Sequence, residues 1–219
     1  MRIGIIGAGR IGGNVARQAV LVGHQVTVSF ARDQAGLHAL AAELGAKVAA
    51  PAEAVQASEL VVISVPWSVI PDALAQLGDL TGKILIDTTN QFGSGPMPAA
   101  GRTAAAFNKE RMAPARYTKS FNTLTAAFQA ETAGRTGEDR VVQWVCGGDE
   151  AAKAVVGELI NEMGYVAVDL GGTDGCVVME APRRPGAVYG EEYREAEARL
   201  VVEAVRAGRP IPPTPSYSR

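Results

Sequence analysis

Short runs of Val, Ile and Leu alternate with longer Ala-rich stretches of helical spacing along most of the chain. A continuous apolar run between two helices is the pattern of a parallel strand buried on both faces, so the alternation predicts βαβ units. Strands are expected at residues 2–6, 25–29, 60–65 and 83–87, with a weaker, short one at 46–49. Helices are expected at 10–22, 35–44 and 68–77, and Pro51 suits the first turn of a short helix ending near Ala57.

Residues 91–101 hold three Gly and two Pro and read as a loop, after which a helix at 103–112 leads out of the first unit. The alternation then resumes. It gives a strand at 117–121, a helix from about Leu124, a strand at 141–146, a helix at 150–163 and a strand at 165–169. Asp149 is placed to cap the 150–163 helix and Gly164 to stop it. Past Gly171-Gly172 the pattern weakens, and residues 182–186 form a loop. A last helix at 191–207 would present Tyr193, Ala196, Leu200 and Ala204 on one face, with a Glu195/Arg199 pair outside. Prolines at 210, 212, 213 and 215 forbid further helix, so the tail is expected to lie on the body or on a second subunit of a homodimer. The whole predicts an α/β protein: a Rossmann doubly wound parallel sheet at 1–114, a smaller C-terminal α/β domain at 115–208, and a Pro-rich tail at 209–219.

Composition narrows the chemistry. With 47% hydrophobic and 20% charged residues, the 219-residue chain is no disordered polymer. Its net charge of −2 offers no basic excess to hold a nucleic acid. With only His24 and His38, zinc hydrolysis and Ser-His-Asp chemistry fall away, and no metal site is expected. Cys146 and Cys176 share no metal-ligand spacing with either histidine, so free buried thiols in a reducing cytoplasm are expected. Met1-Arg2 runs straight into the first strand, so no signal peptide is expected. The apolar runs fall far below the ~18 residues of a membrane span, so no membrane partner is expected.

The strongest chemical signal is Gly7-Ala8-Gly9-Arg10-Ile11-Gly12. It follows an apolar strand, opens an Ala/Val helix, and continues with Ala16, Gly23 and Val26 at the offsets of a dinucleotide fingerprint. Gly7 permits the tight turn, Gly9 lets a diphosphate approach the backbone, and Gly12 allows close packing of helix on strand. At the end of the second strand, where an NAD site places Asp or Glu, stand Ser29, Phe30, Ala31 and Arg32. Without that carboxylate a 2′-phosphate is not repelled, and Arg32 can pair with it, which points to NADP(H). Val65-Pro66-Trp67 should close over the cofactor, with Trp67 either walling it or simply packing. Thr89 and Asn90 could hold the carboxamide, with Asp87 organising their loop. In the segment Lys119–Ala127, Asn122 and Thr123 either face a substrate or cap a helix, while small Ala126 and Ala127 would let a flat ring approach the nicotinamide.

Together these segments resemble the coenzyme F-420-dependent NADP oxidoreductase family, whose fold also forms the cytosolic domain of six-transmembrane ferric reductases. The likeness rests on Gly7–Gly12, the Arg32 region, Pro66-Trp67, residues 86–90, Lys119–Ala127 and residues 145–149. It implies a Rossmann domain for NADP and a small C-terminal domain completing a cleft in which a deazaflavin takes hydride. It also implies Gly9, Arg10, Ile11, Arg32, Pro66 and Trp67 as NADP contacts, with Asn122, Leu124 and Ala126 near the ring stack. Two features depart from the family: Ala31 replaces a Ser or Thr beside the phosphate-binding Arg, and residues 181–190 break an expected helix.

The favoured reading is an oxidoreductase moving hydride from NADPH to a planar flavin- or deazaflavin-like acceptor. Approximation and orientation, which can supply about 7–11 kcal/mol, matter more to that reaction than proton transfer. Two readings stay open beside it: a reductase of another small carbonyl or imine substrate, and a non-catalytic NADP(H)-binding redox sensor.

Overall fold

The apolar runs assemble side by side. In the computed structural model, which describes residues 1–217, the strands are β1 (Arg2–Ile6), β2 (Gln25–Ser29), β3 (Lys47–Val48), β4 (Leu60–Ile63), β5 (Ile84–Asp87), β6 (Arg116–Lys119), β7 (Val142–Gly147) and β8 (Val166–Asp169). They form one sheet in the order β3-β2-β1-β4-β5-β6-β7-β8. All neighbours are parallel except β6 and β7, where Lys119 faces Cys146. The boundary expected near residue 114 is crossed by the sheet itself, since β6 pairs with β5. From β1 the chain winds outward through β2 and β3, then returns to β4 on the other side. That reversal opens a crevice at the carboxyl ends of β1 and β4, where doubly wound sheets bind ligands.

The helices are α1 (Arg10–Leu21), α2 (Gln34–Leu44), α3 (Pro51–Gln56), α4 (Ile70–Leu74), α5 (Ala104–Arg111), α6 (Ala126–Thr132), α7 (Glu150–Glu162) and α8 (Glu195–Arg206). Alternate side chains of the central strands serve opposite faces. Ile3, Ile5, Leu60, Val62 and Ile86 pack under α1, α2 and α7, whereas Ile6, Val61, Ile63 and Leu85 pack under α3, α4, α5 and α8. Asp149 caps α7 by accepting from Ala152 N at 2.9 Å, and Gly164 follows the helix at φ +87°. Among the described residues, no helix is long and apolar enough to cross a membrane.

Several expectations need correction. Cys146 and Cys176 are not free thiols: they form a disulfide with Cα atoms 5.9 Å apart, tying β7 to a 3-10 turn at Gly175–Met179 that the periodicity did not announce. The last helix starts four residues later than expected, because Tyr193 O accepts from Val142 N and holds its segment against β7. Its inward face is therefore Ala198, Val201 and Ala204, and Leu200 stands 52% exposed. The 68–77 helix shrinks to a 3-10 turn at Trp67–Val69 followed by α4. Strand β4 ends at Ile63, β6 at Lys119, and α6 begins at Ala126 behind its Thr125 cap.

The tail does lie on the body. Ile211 packs on the core, and the Tyr217 hydroxyl accepts from Arg194 N and donates to Glu197, both at 3.0 Å. Residues 218 and 219 of the expected tail lie outside the described residues.

Candidate functional site

A groove of about 460 Å³ opens at the carboxyl ends of β1, β2 and β4. Gly7, Ala8 and Gly9 form one wall, Phe30 to Asp33 a second, and Ser64, Val65 and Pro66 a third. Gly7 turns at φ +94°, where an added Cβ would lie 2.4 Å from Ser64 O. At Gly12 a Cβ would lie 2.1 Å from Gly7 O, so helix and turn touch only because both positions are bare. Gly9 differs: a Cβ there would meet nothing within 4 Å. Gly9 is the N-cap of α1, and no side chain caps that helix. The first-turn N–H groups of a helix have no intrahelical acceptor, so at α1 they remain available beside open space. This cradle, with glycine where a bulky anion must approach, fits a dinucleotide diphosphate.

Arg32 is exposed on the rim of this groove and of an adjoining one of about 620 Å³ that also includes Pro51, Asp72 and Gln76. Among the described residues it forms no ion pair. Phe30, which lines both grooves, holds φ +56°, a conformation that costs a bulky residue about 1–2 kcal/mol. That turn ends β2 and carries Ala31 and Arg32 across the crevice. The nearest carboxylate, Asp33, lines the groove but is engaged as the cap of α2, accepting from Gly36 N at 2.9 Å.

The structure brings only some of the expected residues to the groove. Gly7, Gly9, Arg32, Val65 and Pro66 line it, while Arg10, Ile11 and Gly12 form the helix start beside it. Ser29 does not: its buried hydroxyl donates to Ala49 O at 2.7 Å. Nor does Trp67, which is 1% exposed and donates from Nε1 to Pro96 O at 2.8 Å. The Trp67 ring stacks on Phe107 at 6.1 Å, with the Arg111 guanidinium 4.5 Å from its centroid.

A second group gathers at the ends of β5 and β6. Asn90 donates to Asn122 O at 2.9 Å, and Asn122 donates back to Asn90 Oδ1 at 3.1 Å and to Met179 O at 2.7 Å. Leu124 is buried in the core under α1 and α7, and Ala126 opens α6 with its carbonyl accepting from Asn14. Of the three residues expected near the ring stack, only Asn122 therefore has a polar side chain at the strand tips. Thr89 directs its backbone toward Asp87, with its N–H donating at 2.8 Å.

Beneath these tips lies a polar network that only Asp87 had announced. Asp87 and Lys119, facing each other across the β5–β6 register, are both fully buried, with Nζ to Oδ2 at 3.3 Å. Asn108 and Tyr117 donate to the same oxygen at 2.7 and 2.6 Å. Burial pushes the Asp87 carboxyl up, but Lys119, Asn108, Tyr117 and Thr89 together outweigh it and hold the group below its ordinary value. Burial and Asp87 push the Tyr117 phenol well above its ordinary value. Aligning Asp87 with Lys119 across neighbouring strands is the signal that could have revealed the pair. Other charges are also committed: Lys153 pairs with Asp169 at 2.8 Å, Arg183 with Glu191, and Arg184 donates to backbone carbonyls.

Comparison with known proteins bears on the family and the fold. Residues 2–91, which span the whole groove, match the model of a family described as NADP oxidoreductase, coenzyme F-420-dependent. A hypothetical protein from Sinorhizobium meliloti is similar over 89% of this chain and 96% of its own, at 26% identity and a TM-score of 0.77. A candidate F-420-dependent NADP reductase from Arthrobacter is similar over 78% of this chain and 85% of its own, at 26% identity and 0.65. A reductive aminase from Aspergillus terreus, solved with NADPH4, cyclohexanone and allyl amine, has 25% identity and 0.58. The likeness covers 80% of this chain but only 56% of the aminase. No curated protein matches the chain.

Proposed function

We propose that this chain binds NADPH in the β1–β4 crevice and reduces a planar, flavin- or deazaflavin-like acceptor at the tips of β5 and β6. The observation that carries the reading is the empty space over Gly9 beside an uncapped α1, in a groove that Arg32 also borders. Gly9 leaves room for the diphosphate, and the first-turn N–H groups of α1 donate to it. Arg32 pairs with a 2′-phosphate, and its guanidinium can lie flat on adenine. Val65 and Pro66 exclude water along the side of the crevice. When bound, NADPH supplies a hydride from its nicotinamide, two electrons with one proton, and a second proton for the reduced acceptor comes from solvent. The groups beneath the site hold fixed charges: the engaged Asp87 carboxylate organises the Thr89–Asn90 loop rather than moving a proton.

A second reading, reduction of an imine or carbonyl, is favoured by the likeness to the reductive aminase solved with NADPH4. The test is sequential. Calorimetric titration should show NADPH bound more tightly than NADH, and NADPH oxidation should then follow addition of riboflavin or a 5-deazaflavin. A flat trace with both nucleotides refutes the reading. Turnover with a cyclic imine but with neither flavin transfers it to the second, and binding without any turnover leaves a redox sensor.

A further inference from the structure

We propose that Phe92 and Tyr189 form an aromatic lip that receives the planar ring of the acceptor and decides its class. The proposal rests on the acceptor reading above. Phe92 is 55% exposed just beyond the tip of β5. Its ring centroid lies 6.3 Å from that of Tyr189, with the planes tilted by 60°. In such a tilted pair each ring leaves most of a π-face uncovered, available for a third ring to stack upon.

Both residues hang from one hydrogen-bonded node at the ends of β5 and β6. Phe92 N donates to Asn90 O at 2.8 Å, and Gly190 N, next to Tyr189, donates to Thr123 O at 2.8 Å. The Asn90 and Asn122 side chains join these two loops, and Ala181 N reaches Asn90 Oδ1 at 3.4 Å. The aromatic pair is thus fixed beside the residues expected to face the reacting rings.

The node also has unmet hydrogen-bonding capacity. Asn122 Oδ1 and Thr123 Oγ1 are buried and have no partner among the described residues. The Asn122 amide cannot be flipped to relieve this, because its oxygen would then face Met179 O, which now accepts from Nδ2. Buried acceptors call for donors. A flat heteroaromatic ring with an N–H edge, as flavins and deazaflavins have, supplies both a stacking face and that donor. A small aliphatic imine supplies no stacking face.

The test uses the full chain saturated with NADP+, which cannot reduce a flavin, and reads quenching of riboflavin and 5-deazariboflavin fluorescence. Phe92→Ala and Tyr189→Ala should each weaken flavin binding about tenfold, equivalent to about 1.4 kcal/mol and within the range of an aromatic contact. Tyr189→Phe should bind like the parent, and the NADP+ affinity should be unchanged in all three, which also shows that they are folded. Flavin affinity within twofold of the parent in both alanine variants overturns the lip while leaving the nucleotide site intact. Failure of the parent to bind NADP+ overturns both proposals together, and the separate nucleotide titration tells the two failures apart.

Discussion

Gly9→Ala and Gly12→Ala add the same methyl group three residues apart, and they should fail in different ways. Gly9 lies at φ −73° and ψ −157°, an extended conformation open to alanine, and the new Cβ would meet nothing within 4 Å. Alanine is the poorer N-cap, but it reduces the freedom of the unfolded chain; the two effects nearly cancel, leaving stability within about 0.5 kcal/mol. At Gly12 the Cβ would lie 2.1 Å from Gly7 O and 3.0 Å from Ser64 Cβ, so α1 must lift off the turn. A clash with a backbone oxygen falls in the upper part of the overpacking range, about 2–3 kcal/mol, of which the better helix propensity of alanine returns about 1. A net loss of about 1–2 kcal/mol lowers the melting temperature by about 2–8 °C in a chain of this size.

Ligand binding should follow the opposite order of blame. The Gly9→Ala methyl stands in the approach to the first-turn N–H groups, and losing even one hydrogen bond to a charged phosphate costs about 1.5–3 kcal/mol. NADPH affinity should therefore fall at least about tenfold in a protein that melts normally. Thermal unfolding without nucleotide and calorimetric titration with it separate the two variants. Parent-like NADPH affinity in Gly9→Ala would refute the crevice, and equal melting losses in both variants would refute the packing argument.

Arg32→Ala should lower NADPH affinity about tenfold more than NADH affinity at low salt, the gap narrowing as salt screens the exposed pair. Lys119→Met strands the buried Asp87 carboxylate and should cost about 3–5 kcal/mol in denaturant unfolding at pH 7. Because folding lowers the Asp87 pKa, its contribution is complete above the ordinary carboxylate range and is lost as pH falls through the lower folded value. Asp87→Asn should therefore flatten the loss of stability on acidification that the parent shows, and an unchanged acid limb would exclude Asp87 as its source. Thiol titration in denaturant should find no free thiol before reduction and two afterward, given the Cys146–Cys176 bridge. Two thiols before reduction would remove that bridge.

The order of strands and helices was legible because a parallel sheet buries both faces of its strands, which leaves plain apolar runs at 2–6 and 60–63. The Gly7–Gly12 turn was legible for a different reason: glycine, like the Asp149 cap, can be tied to a backbone contact from sequence alone. What failed to show were contacts between distant segments. Trp67 carries no mark of burial, since its partner Phe107 and the Pro96 carbonyl lie 40 and 29 residues away. Cysteines 30 residues apart look independent until the turn at Gly175–Met179 folds back on β7. The inward face of α8 was displaced because Tyr193, read as helical, is bound to Val142 beside the sheet.

Distant contacts of the same kind tie the ends of β5 and β6 to α5 and to the 175–190 segment. Glu180, far along the chain, accepts from Ala104 N and Ala105 N at 2.9 and 2.7 Å, satisfying the first turn of α5. That helix presents Asn108 to Asp87, and Asp87 holds the Thr89 backbone. Met179, next to Glu180, receives the Asn122 amide. Leaving a buried polar group without its partner is costly, so each of these links resists separate movement, and displacing the 175–190 segment would strand several of them together. The loops after β5 and β6 are thereby held against the 175–190 segment. A reaction that depends on approximation rather than proton transfer is best served by that kind of rigidity.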